Sequence, residues 1–181
     1  MATILAKQVD LHPPASASSK IHTMNKTVVI GIGNPLRGDD GVGWVVVEAL
    51  AEVAEAWGIT AVHTHQLLPE LIDDFSQASQ VIFVDASVVG QPGSIVVTPI
   101  QPTLDGPAAS HQMHPGVLLA LGARLYGRMP AAHLITITGR NFGYTETLSA
   151  PVEQAVTAVL HQIQQLIQAP APISRPTLSL Q

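Results

Sequence analysis

The sequence predicts a three-layer α/β/α domain on a five-stranded mixed sheet with one antiparallel strand. Three observations carry this expectation. Near-continuous apolar runs rich in β-branched residues recur along the chain, as in strands covered on both faces. Segments with apolar residues at three- and four-residue spacing alternate with them, as amphipathic helices do. One link between consecutive strands is only seven residues long, and a parallel crossover needs about a dozen.

Residues 27–33 form the first strand, which stops at Gly33. After a loop over 34–38, Val42, Val45, Val46, Leu50 and Val53 mark one helix over 39–57, ended by Gly58. Residues 59–66 read as the second strand, and 69–76 as a short helix with Pro69 in its first turn. The third strand spans 80–86. Residues 87–93, with Gly90, Pro92 and Gly93, separate it from a strand over 94–99, so this pair is expected as an antiparallel hairpin. A loop over 100–110 leads to a helix over 114–126 with Val117, Leu118, Leu121 and Leu125 on one face. Residues 132–138 make the fifth strand. The last helix starts near Ser149, the expected N-cap, with Pro151 near its first position. Its apolar face is Val152, Val156, Val159, Ile163, Leu166 and Ile167.

A length of 181 residues suits one domain, placed over 24–169. Residues 1–23 read as a flexible extension before Met24, and 170–181, with Pro170, Pro172 and Pro176, as a proline-rich tail. Apolar residues make up 46% and charged residues 12%, a core-rich composition. The absence of cysteine excludes disulfides, iron–sulfur clusters, thiolate zinc sites and cysteine nucleophiles. Eight Lys and Arg against 13 Asp and Glu give a net charge of −5, so no nucleic-acid partner is expected. No apolar run approaches the roughly 20 residues of a membrane span, and the first 23 residues lack a signal-peptide core. The expected location is the cytoplasm, with no membrane partner.

In such sheets ligands bind beyond the carboxyl ends of the parallel strands. After the first strand stands the stretch Gly31-Ile32-Gly33-Asn34-Pro35-Leu36-Arg37-Gly38-Asp39-Asp40-Gly41-Val42-Gly43. It fails as a phosphate cradle. The dinucleotide fingerprint wants glycine where Leu36 stands, and the P-loop wants Lys-Ser/Thr where Asp39-Asp40 stand. The paired acids suit the positive end of a helix dipole, where they could simply cap. Gly38, Gly41 and Gly43 around them leave room for something bulky to approach the backbone.

Asp85 closes the apolar run Val81-Ile82-Phe83-Val84, and a carboxylate there is costly unless paired or bound to a metal. Adjacent strands lie about 4.8 Å apart, so Asp40 and Asp85 face one site if the first and third strands are neighbours. His111 precedes a helix start, where the dipole favours the neutral imidazole a metal needs. Each also has a plain reading: a cap, a hydrogen-bond anchor, a solvated loop side chain. His63, His65 and His114 are left with only that plain reading. Asp40, Asp85 and His111 make an O/O/N donor set with open positions, suited to a divalent ion, nickel and zinc included. No Gly-x-Ser-x-Gly elbow is present.

The glycine-rich stretch resembles the signature of the hydrogenase maturation proteases, and Val84-Asp85-Ala86 and Ser110-His111-Gln112 match that family's other two marks in the right order. The resemblance spans residues 27–167. It implies a phosphorylase/hydrolase-like fold and an aspartic-type or metal-dependent endopeptidase. Such an enzyme removes a C-terminal peptide from the nickel-loaded precursor of a [NiFe]-hydrogenase large subunit. By the same resemblance, Asp40, Asp85 and His111 are the metal-contacting and catalytic residues. The nickel is carried by the precursor, with other divalent ions able to substitute. In place of the Asp-Gly-Gly that some members carry after the second strand, this chain has Gln66-Leu67-Leu68-Pro69-Glu70-Leu71. That form resembles the branch serving bidirectional NAD(P)-linked hydrogenases. Two other functions fit the residues less fully. One is a non-catalytic, nickel-dependent chaperone of the immature subunit. The other is a nucleotide-binding α/β domain.

Overall fold

Five runs of aliphatic and β-branched residues form the strands β1 (Thr27–Ile32), β2 (Ile59–Thr64), β3 (Gln80–Ser87), β4 (Ile95–Ile100) and β5 (Ala131–Thr138). They lie in the order β2-β1-β3-β5-β4 in a computed structural model that describes residues 26–104 and 113–168. The expectations for 1–23, for 170–181 and for His111 lie outside the described residues. The helices are α1 (Val42–Ala51), α2 (Ala54–Trp57), α3 (Leu71–Phe75), α4 (Pro115–Tyr126) and α5 (Ala150–Gln168). Among them none is long and apolar enough to cross a membrane.

Side-chain alternation along each strand divides the interior into two cores. Val29, Ile82, Val84, Ile135 and Ile137 face α1 and α5, meeting Val46, Leu50, Val152, Val156, Val159 and Ile163. Val28, Ile30, Val81, Phe83 and Ala132 face the other way, onto Ile72 and Phe75 of α3 and Leu118 and Leu119 of α4. The three layers are therefore α1/α5, sheet, and α3/α4. The apolar face read for the last helix enters the first core, with Leu166 and Ile167 only partly buried at its end.

β1 runs parallel to β3 with Thr27 opposite Gln80 and Gly31 opposite Val84, as the site argument required. β4 is antiparallel, as its short link implied, but the hairpin is not formed. β5 lies between the two strands, parallel to β3 and antiparallel to β4. Residues 88–94 reverse the chain and carry it past one strand position, roughly 10 Å at the usual spacing. The gap is then filled by a strand that arrives later in the chain. The helix expected over 39–57 is also divided. It begins as a 3₁₀ turn over Gly38–Gly41, runs as α1, breaks at Glu52 and Val53, and ends as α2 before the left-handed Gly58 (φ 65°). Neither residue at the break is a helix breaker. Packing decides it: Trp57 and Ile59, on either side of the turn into β2, both enter the first core.

The glycines that seemed to leave room for a ligand are occupied by the protein's own backbone. A Cβ on Gly43 would stand 2.5 Å from the carbonyl oxygen and 2.6 Å from the nitrogen of Ile32, and 2.7 Å from the carbonyl oxygen of Val84. One on Gly31 would meet the Gly43 carbonyl oxygen at 2.1 Å. The first turn of α1 thus rests directly on the ends of β1 and β3, a contact that only two hydrogens allow. Gly43→Ala is expected to cost about 3 kcal/mol or more, since backbone rather than a yielding side chain must move. A urea titration measures this, and an unchanged midpoint would refute the close-packing account.

Candidate functional site

The close packing of α1 on the sheet holds the preceding 3₁₀ turn over the carboxyl ends of the strands. Asp39 and Asp40 sit side by side in that turn, and the tight 3₁₀ winding sends them in different directions. Asp39 points inward and is fully buried. Its Oδ2 accepts the Arg140 N–H at 2.6 Å, the Asn141 N–H at 2.8 Å and the Ser149 hydroxyl at 2.8 Å. Its Oδ1 accepts the Ser149 N–H at 2.6 Å. Burial pushes the Asp39 carboxyl up, but the Ser149, Asn141 and Arg140 N–H groups and the Ser149 hydroxyl outweigh it and hold the pKa below its ordinary value. The Ser149 side chain, expected to cap α5, is turned onto Asp39 instead.

This knot fixes the loop after β5 against the loop after β1. Gly38 N–H donates to the Thr145 carbonyl at 2.7 Å, Asp39 N–H to the Asn141 carbonyl at 2.9 Å, and Thr145 N–H to the Leu36 carbonyl at 3.2 Å. Nothing in residues 139–148 had marked them as part of the site. The signal was Asp39 itself, a second acid beyond what one cap requires.

Asp40 is left half-buried, its Oδ2 accepting the Asn34 N–H at 3.0 Å. It lines a pocket of about 280 Å³ together with Asp85, Ile32, Arg37, His65 and His114. Asp85 comes from β3, where its Oδ1 accepts the Ala86 N–H at 2.8 Å. Two of the three residues marked by the sequence therefore meet in one pocket at the carboxyl ends of β1 and β3. His111 falls in the segment outside the described residues, although Met113, two positions on, lines the same pocket. Among the described residues, no group of three His, Asp or Glu side chains could hold a metal ion.

His65 and His114, given only plain readings above, both line the pocket. His65 follows the end of β2, and its Nδ1 lies 3.2 Å from the Gly33 carbonyl oxygen. His114 is the N-cap of α4, its Nδ1 accepting the Gly116 N–H at 3.1 Å. His63 is not among the lining residues. It packs on the Trp44 ring with centroids 3.9 Å apart, and the same indole lies 5.0 Å from His65.

Burial pushes the Asp85 carboxyl from 3.8 up to about 6; the Ala86 N–H opposes the rise, and the Asp40 charge adds to it. The folded state therefore holds a proton that the unfolded chain releases. This group favours folding most below pH 3.8, and that advantage is lost as pH rises to about 6. The full interval corresponds to about 3 kcal/mol at most. Asp85→Asn keeps an oxygen for the Ala86 N–H and removes the charge. The variant is expected to be more stable than wild type at pH 8 and no more stable at pH 4, as read from urea midpoints across that range. Parallel curves for the two proteins would reject the shift.

No protein-family model matches the chain, and a search of curated proteins gave no match. Solved structures do match. A [NiFe] hydrogenase maturation protease HycI from Thermococcus kodakarensis superposes with a TM-score of 0.67 at 20% identity, over 82% of this chain and 96% of that one. A hydrogenase 2 maturation peptidase from a Thaumarchaeota archaeon gives 0.61 at 24%, over 78% and 97%. The hydrogenase maturating endopeptidase HybD of E. coli gives 0.61 at 21%, over 78% and 91%. The fold of this chain is the one those structures share.

Proposed function

We propose that this protein is an endopeptidase of hydrogenase maturation, acting on the C-terminal segment of a [NiFe]-hydrogenase large-subunit precursor. The observation that carries the reading is the meeting in one pocket of Asp40, from the 3₁₀ turn that follows β1, and Asp85, from β3. They do so in a fold shared with solved maturation proteases. The motifs around the two acids support the same reading. The branch serving bidirectional NAD(P)-linked hydrogenases remains the precursor class that Gln66-Leu67 and Pro69-Glu70-Leu71 favour.

In this reading nickel arrives with the precursor as part of the substrate. Asp40 and Asp85 offer it carboxylate oxygens, and His111 offers an imidazole nitrogen. Such a set fits a borderline divalent ion, which would polarise the peptide carbonyl near it. One carboxylate serves as the base toward water, and the pocket walls hold the peptide in reach. In this reading the reaction runs in the cytoplasm.

The test is the intact mass of a large-subunit precursor incubated with the protein, with nickel present and after its removal. The expected result is a shortened chain only when nickel is loaded. Unchanged precursor in both arms would overturn the endopeptidase and leave a chaperone. Cleavage in both arms would reject the metal's part in recognition.

A further inference from the structure

Two imidazoles in the pocket have no part in the scheme above. Both have Nδ1 engaged by backbone, in opposite senses. Nδ1 of His65 faces the Gly33 carbonyl oxygen, and a carbonyl can only accept. That Nδ1 therefore carries a proton, and the lone pair of the neutral ring is on Nε2. Nδ1 of His114 accepts the Gly116 N–H. It carries no proton, so the ring's hydrogen is on Nε2. One ring thus offers an acceptor and the other a donor, and backbone rather than solvent selects each tautomer. Trp44 limits the movement of the first ring: its indole packs beside His65 and donates through Nε1 to the Thr64 carbonyl at 3.3 Å.

A peptide group is itself one donor and one acceptor. Ionised Asp40 and Asp85 can only accept, and Arg37 can only donate. We propose that His65 and His114 grip the main chain of the peptide entering the pocket. His65 Nε2 accepts from a substrate N–H, and His114 Nε2–H donates to a substrate carbonyl. The inference rests on the endopeptidase reading and extends it. The two histidines are positioning residues that hold extended backbone whatever its side chains, while the carboxylates act on the bond.

Asparagine tests this cleanly. At 114 its Oδ1 can accept the Gly116 N–H as an N-cap, and at 65 its amide can donate to Gly33, so the Nδ1 bonds are replaced in kind and Nε2 is lost. Cleavage of nickel-loaded precursor is followed at varied concentration by wild type, His65→Asn and His114→Asn, each first checked by thermal denaturation. The expected result is a KM raised about 5- to 10-fold by either change, as for one lost hydrogen bond, with kcat within about twofold of wild type. His65→Gln, which can return an oxygen near the Nε2 position, is expected to recover part of the loss. Where His114→Asn melts early, His114→Ser supplies the cap instead. If wild type cleaves and both variants keep its KM, the backbone grip is wrong and the endopeptidase stands. A fall in kcat alone would also reject the grip. If wild type leaves the precursor intact, both readings fall together.

Discussion

Asp39→Ala is expected to destabilise the fold by about 3–5 kcal/mol, a large share of the roughly 5–15 kcal/mol that holds a domain together. The substitution leaves three backbone N–H groups and one hydroxyl without their acceptor, in a place water does not reach. It releases residues 140–149 from the first loop and, through them, the start of α5. Asp39→Asn is not a silent exchange. Its single oxygen can serve one side of the knot, but its amide then faces another donor. The depressed pKa of Asp39 adds a pH signature. The stability it supplies is present above the ordinary carboxylate value and fades as pH falls through the lowered one. Urea titrations at pH 7 and pH 3 measure both effects. A variant that unfolds at the wild-type midpoint would show that the knot contributes nothing.

Asp40→Asn, one residue along, is expected to do the reverse: cleavage falls by about 100-fold or more while the urea midpoint stays in place. Asparagine fills the same volume and keeps an oxygen for the Asn34 N–H. What it removes is the charge in the pocket. The same change withdraws a repulsion from Asp85, so the Asp85 carboxyl should move back toward its ordinary value. The readouts are precursor cleavage by intact mass and the Asp85 titration by carbon-13 NMR. Full cleavage by the variant would remove Asp40 from the mechanism. The contrast between the neighbours is informative in itself, because composition and charge do not distinguish them.

That contrast marks the limit of what a linear pattern can show. The strands were legible because alternating burial leaves apolar runs such as Val81–Val84, and the direction of β4 followed from the length of its link. The insertion of β5 was not legible, because it depends on a pairing between segments far apart in the chain. Nor was the helix break at Glu52 and Val53, where packing overrides an uninterrupted periodicity. For the site, Asp40 and Asp85 could be read from their places after neighbouring strands. Asp39 could be seen but not assigned, since its partners lie 101 to 110 residues away. His65 and His114 gained significance only when their Nδ1 atoms were found against backbone, which no spacing encodes.

The seat of α1 on the strands has a consequence for redesign. At the contact of α1 with β1, Gly31 and Gly43 are pressed together main chain to main chain, with no side chain to exchange. Attempts to alter what the pocket accepts should therefore leave that contact alone and vary the pocket lining, where the side chains of Arg37, Gln66 and Met113 are replaceable. A scaffold arranged in this way separates the part that must not change from the part that can be retuned.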